Sequence, residues 1–82
     1  MAEADTPLVL YVRDGCHLCD EFLIELSIEV GGSIAGLRIV DVDSDPGLAQ
    51  RYGLRVPVLE CRGEVAGEGR FDRSRFRRSY RV

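Results

Sequence analysis

Cys16 and Cys19 stand three apart in the stretch Gly15-Cys16-His17-Leu18-Cys19-Asp20-Glu21, with a histidine between them and two acids behind. Thiols at that spacing can cycle as a dithiol–disulfide pair, supply half of a metal site, or simply occupy the first turn of a helix. A tetrahedral zinc site would need four ligands, for which the chain offers Cys16, His17, Cys19 and Cys61. Cys61 lies some forty residues further on and is read most simply as a small core hydrophobe. The elements that hold the stretch must decide among these.

Residues 8–12, Leu-Val-Leu-Tyr-Val, form a continuous apolar run, the pattern of a strand buried on both faces. Asp14 and Gly15 end it. From Cys16 to about Val30 the apolar positions Cys19, Phe22, Leu23, Leu26 and Val30 recur at three and four, a helical stripe closed by Gly31 and Gly32. Residues 37–42 read as a second strand, so strand, helix and strand make a βαβ unit with parallel strands. Ser44-Asp45-Pro46 is a strong helix start, and the short helix runs to Tyr52 before Gly53. A third strand over residues 56–61 begins at Pro57, where a missing N–H costs least. Arg62-Gly63 turns the chain into a short edge strand at residues 64–66. Asp72 caps a last helix carrying Phe76 and Tyr80 on one face. The order βαβ-α-ββα predicts an α/β fold, with a four-stranded mixed sheet flanked by helices. Eighty-two residues make one domain, with its core over about 8–80.

In that setting the dithiol lies at the junction of the first strand and the first helix. Both sulfurs then face the same side of the first turn, close enough to bond. Cys16 falls in the cap region, where free N–H groups and the helix dipole favour a thiolate. Cys19 sits deeper and stays a thiol. This asymmetry predicts Cys16 as nucleophile and Cys19 as resolving thiol. His17, when charged, favours the thiolate; Asp14, Asp20 and Glu21 oppose it.

The bulk numbers fit this reading. A net charge of −3 and a pI near 5 argue against nucleic acid as a partner. The basic run from Arg70 to Arg81, with Phe76 and Tyr80 interleaved, reads as a solvated helix face whose aromatics turn to the core. No apolar stretch is long enough to cross a membrane, and the first residues lack a secretory pattern, so a cytoplasmic protein is expected.

The dithiol followed by a Val-Pro strand resembles the thioredoxin fold, and more closely its compact glutaredoxin branch. Gly15 to Glu21, the Asp-Val-Asp-Ser-Asp-Pro run ending at Pro46, Arg51 to Val58, and Gly69-Arg70-Phe71-Asp72 resemble a group of small bacterial glutaredoxin-like proteins. The resemblance implies that Pro57 is cis and faces the dithiol, and that Val56 offers its backbone to an extended substrate. It implies that Arg13 holds a glutathione carboxylate and that Asp72 meets the glutamyl amine, beside its role as a helix cap. There are departures. His17 and Leu18 stand where glutaredoxins usually have proline and an aromatic, and Asp20 stands where many have a basic residue. Glu68 interrupts the usual Gly-Gly pair, between Gly67 and Gly69, and would repel glutathione carboxylates. The expected activity is thiol–disulfide exchange on protein or small-molecule disulfides, by a monomer with no bound cofactor. Glutathione, another low-molecular-weight thiol or a reductase would recharge it. Two rivals remain: an iron–sulfur or metal carrier using the same cysteines, and a non-catalytic interaction module.

Overall fold

The computed structural model describes residues 8–31 and 36–80. The ends of the expected domain, Gly32 of the expected glycine cap and Arg81 of the basic run lie outside the described residues. Strand β1 (Leu8–Val12) leads into helix α1 (His17–Glu29), then strand β2 (Arg38–Asp41). A single 3-10 turn (Val42–Ser44) joins it to helix α2 (Pro46–Tyr52). Strands β3 (Val58–Cys61) and β4 (Glu64–Glu68) and helix α3 (Arg73–Ser79) complete the chain. The sheet order is β2-β1-β3-β4, with β1 parallel to β2 and the other pairs antiparallel. The α/β architecture expected from the sequence is therefore present.

Alternation along the strands divides the core. Leu8, Leu10, Leu59, Cys61 and Ala66 point to one face, where Phe22 and Leu26 of α1 and Phe76 of α3 cover them. On the other face Val58 packs with Val42 and Tyr52, and Tyr11 and Val65 lean on that cluster. Here the structure departs from the sequence reading. β1 was expected to be buried on both faces, yet Val9 and Tyr11 are only half-buried. The second face has the seven-residue helix α2 alone, whereas the thirteen-residue α1 and the seven-residue α3 share the first.

Three strand ends differ for local reasons. β2 stops at Asp41 because the Asp41 carboxylate accepts the Asp43 N–H at 2.9 Å and the Ser44 hydroxyl donates to the Asp41 carbonyl at 2.6 Å. These bonds coil the chain into the 3-10 turn and bury Val42. β3 begins at Val58 rather than at residue 56, since ladder pairing starts only past Pro57. β4 runs on through Gly67 to Glu68, although glycine reads as a strand end. A Cβ on Gly67 would lie 3.2 Å from Cζ of Phe22, so the glycine makes room for that ring against the sheet. Arg62 and Gly63, both at positive φ, form the expected tight turn.

Candidate functional site

The site is built at the C-terminal end of β1. After Val12 the chain turns so that the Cys16 N–H donates to the Arg13 carbonyl at 3.2 Å, with Gly15 at φ +76°. That positive φ suits glycine, which carries no Cβ to clash. Cys16 is extended (φ −90°, ψ 105°) and is the N-cap of α1. Its sulfur takes the role a serine or aspartate oxygen usually has, accepting the Cys19 N–H at 3.1 Å. The Asp20 N–H donates to the Cys16 carbonyl at 3.3 Å, closing the first turn.

Cys16 and Cys19 are joined as a disulfide, their Cα atoms 5.2 Å apart. Cys16 is partly exposed, whereas Cys19 is 4% exposed and belongs to the buried face of α1 with Phe22 and Leu26. The sequence stripe had anticipated that difference in depth. A reduced pair in this geometry would keep the Cys19 N–H and the helix dipole aimed at the outer sulfur.

The remaining candidates fall around this pair in different ways. His17 projects outward, its side chain 87% exposed, and pairs with Glu21 one turn on at 3.2 Å. Asp20 is exposed in the first turn of α1. The Val56–Pro57 peptide bond is cis, and the Pro57 carbonyl accepts the Gly69 N–H at 2.9 Å. Register runs Leu8–Cys61 through Tyr11–Val58, so one step further sets Pro57 level with Val12, at the dithiol end of β1. Among the described residues, neither backbone polar group of Val56 has a hydrogen-bond partner. Asp72 caps α3, its carboxylate accepting the Arg75 N–H at 3.1 Å. The preceding Phe71 meets Phe22 edge-on with centroids 5.4 Å apart, which holds this cap beside α1.

Arg13 has the most specific surroundings. Its Nε and Nη2 donate to the two carboxylate oxygens of Asp43 at 3.0 and 2.9 Å, and Nη1 donates to the Gly53 carbonyl at 2.9 Å. The pairing holds the Asp43 carboxyl below, and the Arg13 guanidinium above, their ordinary pKa values; the hydrogen bond between them is the main cause in each case. Glu68, the departure flagged in the sequence, is also engaged. Its carboxylate accepts from Arg55 at 2.7 and 3.2 Å, which lowers its pKa.

Cys61 cannot join the dithiol in one chain. It pairs in register with Leu8, at the other end of β1, four residues or ~13 Å from the strand end that carries Cys16. It is 4% exposed in the main core, its sulfur 3.5 Å from the Ser79 carbonyl. Among the described residues, no group of three or more His, Cys, Asp and Glu side chains is arranged to hold a metal ion. No helix among them is long and apolar enough to cross a membrane. In the basic run Phe76 is buried and Tyr80 stacks on it at 5.0 Å, as the spacing anticipated.

Sequence reasoning missed two clusters. One is Asp43 with Gly53, which hold Arg13. The other is Glu60, whose carboxylate accepts hydrogen bonds from both Tyr11 and Tyr52 on the α2 face of the sheet. Both depend on pairings across elements, for which a single sequence carries no signal.

Comparison with known proteins follows the same line. Residues 7–79 match the family model described as Glrx-like, the glutaredoxin-like domain (DUF836). The structural-genomics target protein XcR50 from X. campestris, solved by X-ray crystallography, is 39% identical, covering 87% of this chain and 91% of that one, with a TM-score of 0.67. Ne2328 from Nitrosomonas europaea is 29% identical over 90% of this chain and 89% of that one, with a TM-score of 0.73. No curated protein matches the chain.

Proposed function

The chain belongs to the glutaredoxin-like domain family, and on that premise we propose that it is a thiol–disulfide oxidoreductase working through Cys16 and Cys19. The observation that carries the proposal is the sulfur cap: Cys16 Sγ accepts the Cys19 N–H at the start of a thirteen-residue helix, over a buried partner cysteine.

In the reaction the Cys16 thiolate attacks one sulfur of a substrate disulfide. A Cys16–substrate bond forms as the substrate S–S bond breaks, and the departing thiolate takes up a proton. Cys19 then loses its proton and attacks Cys16 Sγ, releasing the second substrate thiol and closing the Cys16–Cys19 disulfide. Two electrons and two protons pass to the substrate. A low-molecular-weight thiol or a reductase returns the pair to the dithiol, in a reducing compartment such as the cytoplasm. The unpaired backbone of Val56 supports main-chain pairing to an extended protein substrate beside Pro57. Asp20 and His17 flank the nucleophile and tune its thiolate from opposite directions. Asp72, at the α3 cap, would meet a cationic group of a small thiol while keeping its structural bond to the Arg75 N–H.

Trapping tests the proposal. A Cys19→Ser variant mixed with a small disulfide should accumulate a mixed disulfide at Cys16, read by intact mass and peptide mapping. A Cys16→Ser variant should capture none. Absence of any adduct, or an adduct confined to Cys61, would overturn the assignment.

A further inference from the structure

The basic residue nearest the dithiol in sequence is Arg13, three positions before Cys16. In this chain its guanidinium is already spent. Its Nε and Nη2 satisfy both carboxylate oxygens of Asp43, and Nη1 binds the Gly53 carbonyl. A fork-to-fork pair of this kind is a strong, geometrically specific form of ion pair; with the Gly53 bond it engages three of the five N–H donors and matches the charge to a carboxylate already in place. Gly53 tightens the arrangement, since a Cβ there would meet Arg13 Nη2 at 2.9 Å.

What surrounds the pair has the opposite sign. A groove of about 480 Å³ opens beside Cys19, between β1, α1 and β2. Its apolar lining comes from Val12, Leu23 and Ile39, and three carboxylates, Asp14, Asp20 and Asp41, line it as well. Among the described lining residues Arg13 is the single cation, and Asp43 compensates it. On the far side of the site, Arg55 beside Val56 is likewise committed, to Glu68.

We propose that the dithiol site selects against anionic thiols and disulfides in favour of neutral and cationic ones, and that Asp43 is the specificity-determining residue that keeps Arg13 from an incoming carboxylate. This rests on the oxidoreductase reading and deepens it. A thiolate approaching Cys19 or Cys16 with its own carboxylates meets Asp14, Asp20 and Asp41 and a guanidinium already paired to Asp43. An amine-bearing thiol meets the same acids as attraction. Low-dielectric grooves lined by one sign of charge alter association rates by roughly ten- to a thousandfold, and the effect fades with salt.

The reduced protein, freed of reductant, is mixed at low ionic strength with three symmetric disulfides: oxidised glutathione (anionic), bis(2-hydroxyethyl) disulfide (neutral) and cystamine (cationic). Acid quenching and alkylation follow loss of the protein dithiol. Each rate is divided by that of the same disulfide with free dithiothreitol, which removes intrinsic reactivity. The normalised rate should fall from cystamine to glutathione disulfide by about tenfold or more, and the gap should close at 1 M salt, where charges are screened within ~3 Å. Asp43→Asn should raise the normalised glutathione rate several-fold, and the gain should vanish in Arg13→Gln/Asp43→Asn. Glutathione disulfide reacting as fast as cystamine overturns the selectivity without any variant. A gain that persists in the double variant overturns the role of Asp43, because lost negative charge alone would then explain it. Failure of all three disulfides to oxidise the pair removes the oxidoreductase reading and the selectivity together.

Discussion

Around Cys16 two kinds of group act on the thiolate in opposite senses. In the reduced pair the Cys19 N–H, at 3.1 Å here, and the α1 dipole would stabilise it, while Asp20 in the same first turn would oppose it. Asp20→Asn should therefore lower the Cys16 pKa, followed by thiolate absorbance at 240 nm in the reduced protein. An unchanged titration would mean that Asp20 is too well solvated to be felt. The His17 side chain is turned to solvent, its Nε2 paired to Glu21 one turn on. The cysteines themselves were legible: spacing, strand-to-helix setting and the apolar stripe together assigned the outer and the inner sulfur. Arg13 was legible as a residue near the site but not as a committed one. Its partner Asp43 is thirty residues away, in a 3-10 turn just past the strand that the sequence reading ended at residue 42.

Among the elements, the face covered by α2 holds the least expected chemistry. Glu60 on β3 receives the hydroxyls of Tyr11 on β1 and Tyr52 on α2, whose rings lie 4.9 Å apart, and Arg55 lies over the Tyr52 ring. Both phenols are pushed above their ordinary pKa: Tyr11 first by burial and then by the Glu60 charge, Tyr52 first by its hydrogen bond to Glu60 and then by burial. The sign follows directly. A phenol whose pKa is raised on folding stabilises the fold fully below its unfolded value near 10, and that contribution is lost as pH rises through the folded value. Urea stability should thus decline above about pH 10, and Tyr52→Phe should remove part of that decline while costing about 0.5–1.5 kcal/mol at neutral pH. A flat alkaline profile in the parent protein would contradict the tyrosine–glutamate coupling. The sequence read Tyr11 as one more apolar strand residue, since alternation reports which face a side chain takes but not what it bonds there. Element ends failed for related reasons. Gly67 read as a stop because glycine weakens strands in general, whereas here it admits Phe22. Val42 read as strand, whereas the side-chain capping by Asp41 coils the chain out of the ladder just after β2.

At the scale of the whole molecule, the order of elements was legible because each junction carried its own signal: Asp14-Gly15, Asp45-Pro46, Arg62-Gly63 and the Asp72 cap. The uneven cover of the sheet was not, since helix length alone does not say which face a helix takes. That layout places Cys61 in the core at one end of β1 and the Cys16–Cys19 pair at the other. Whether the Cys16–Cys19 pair cycles, rather than serving as a fixed brace of the α1 terminus, is decided by its reduction potential. Equilibration with dithiothreitol redox buffers, read by alkylation and mass, should give one reversible two-electron transition at a potential above about −300 mV, in the range of exchanging dithiols. A pair that stays oxidised well below about −300 mV would be a structural disulfide, and the oxidoreductase assignment would fail.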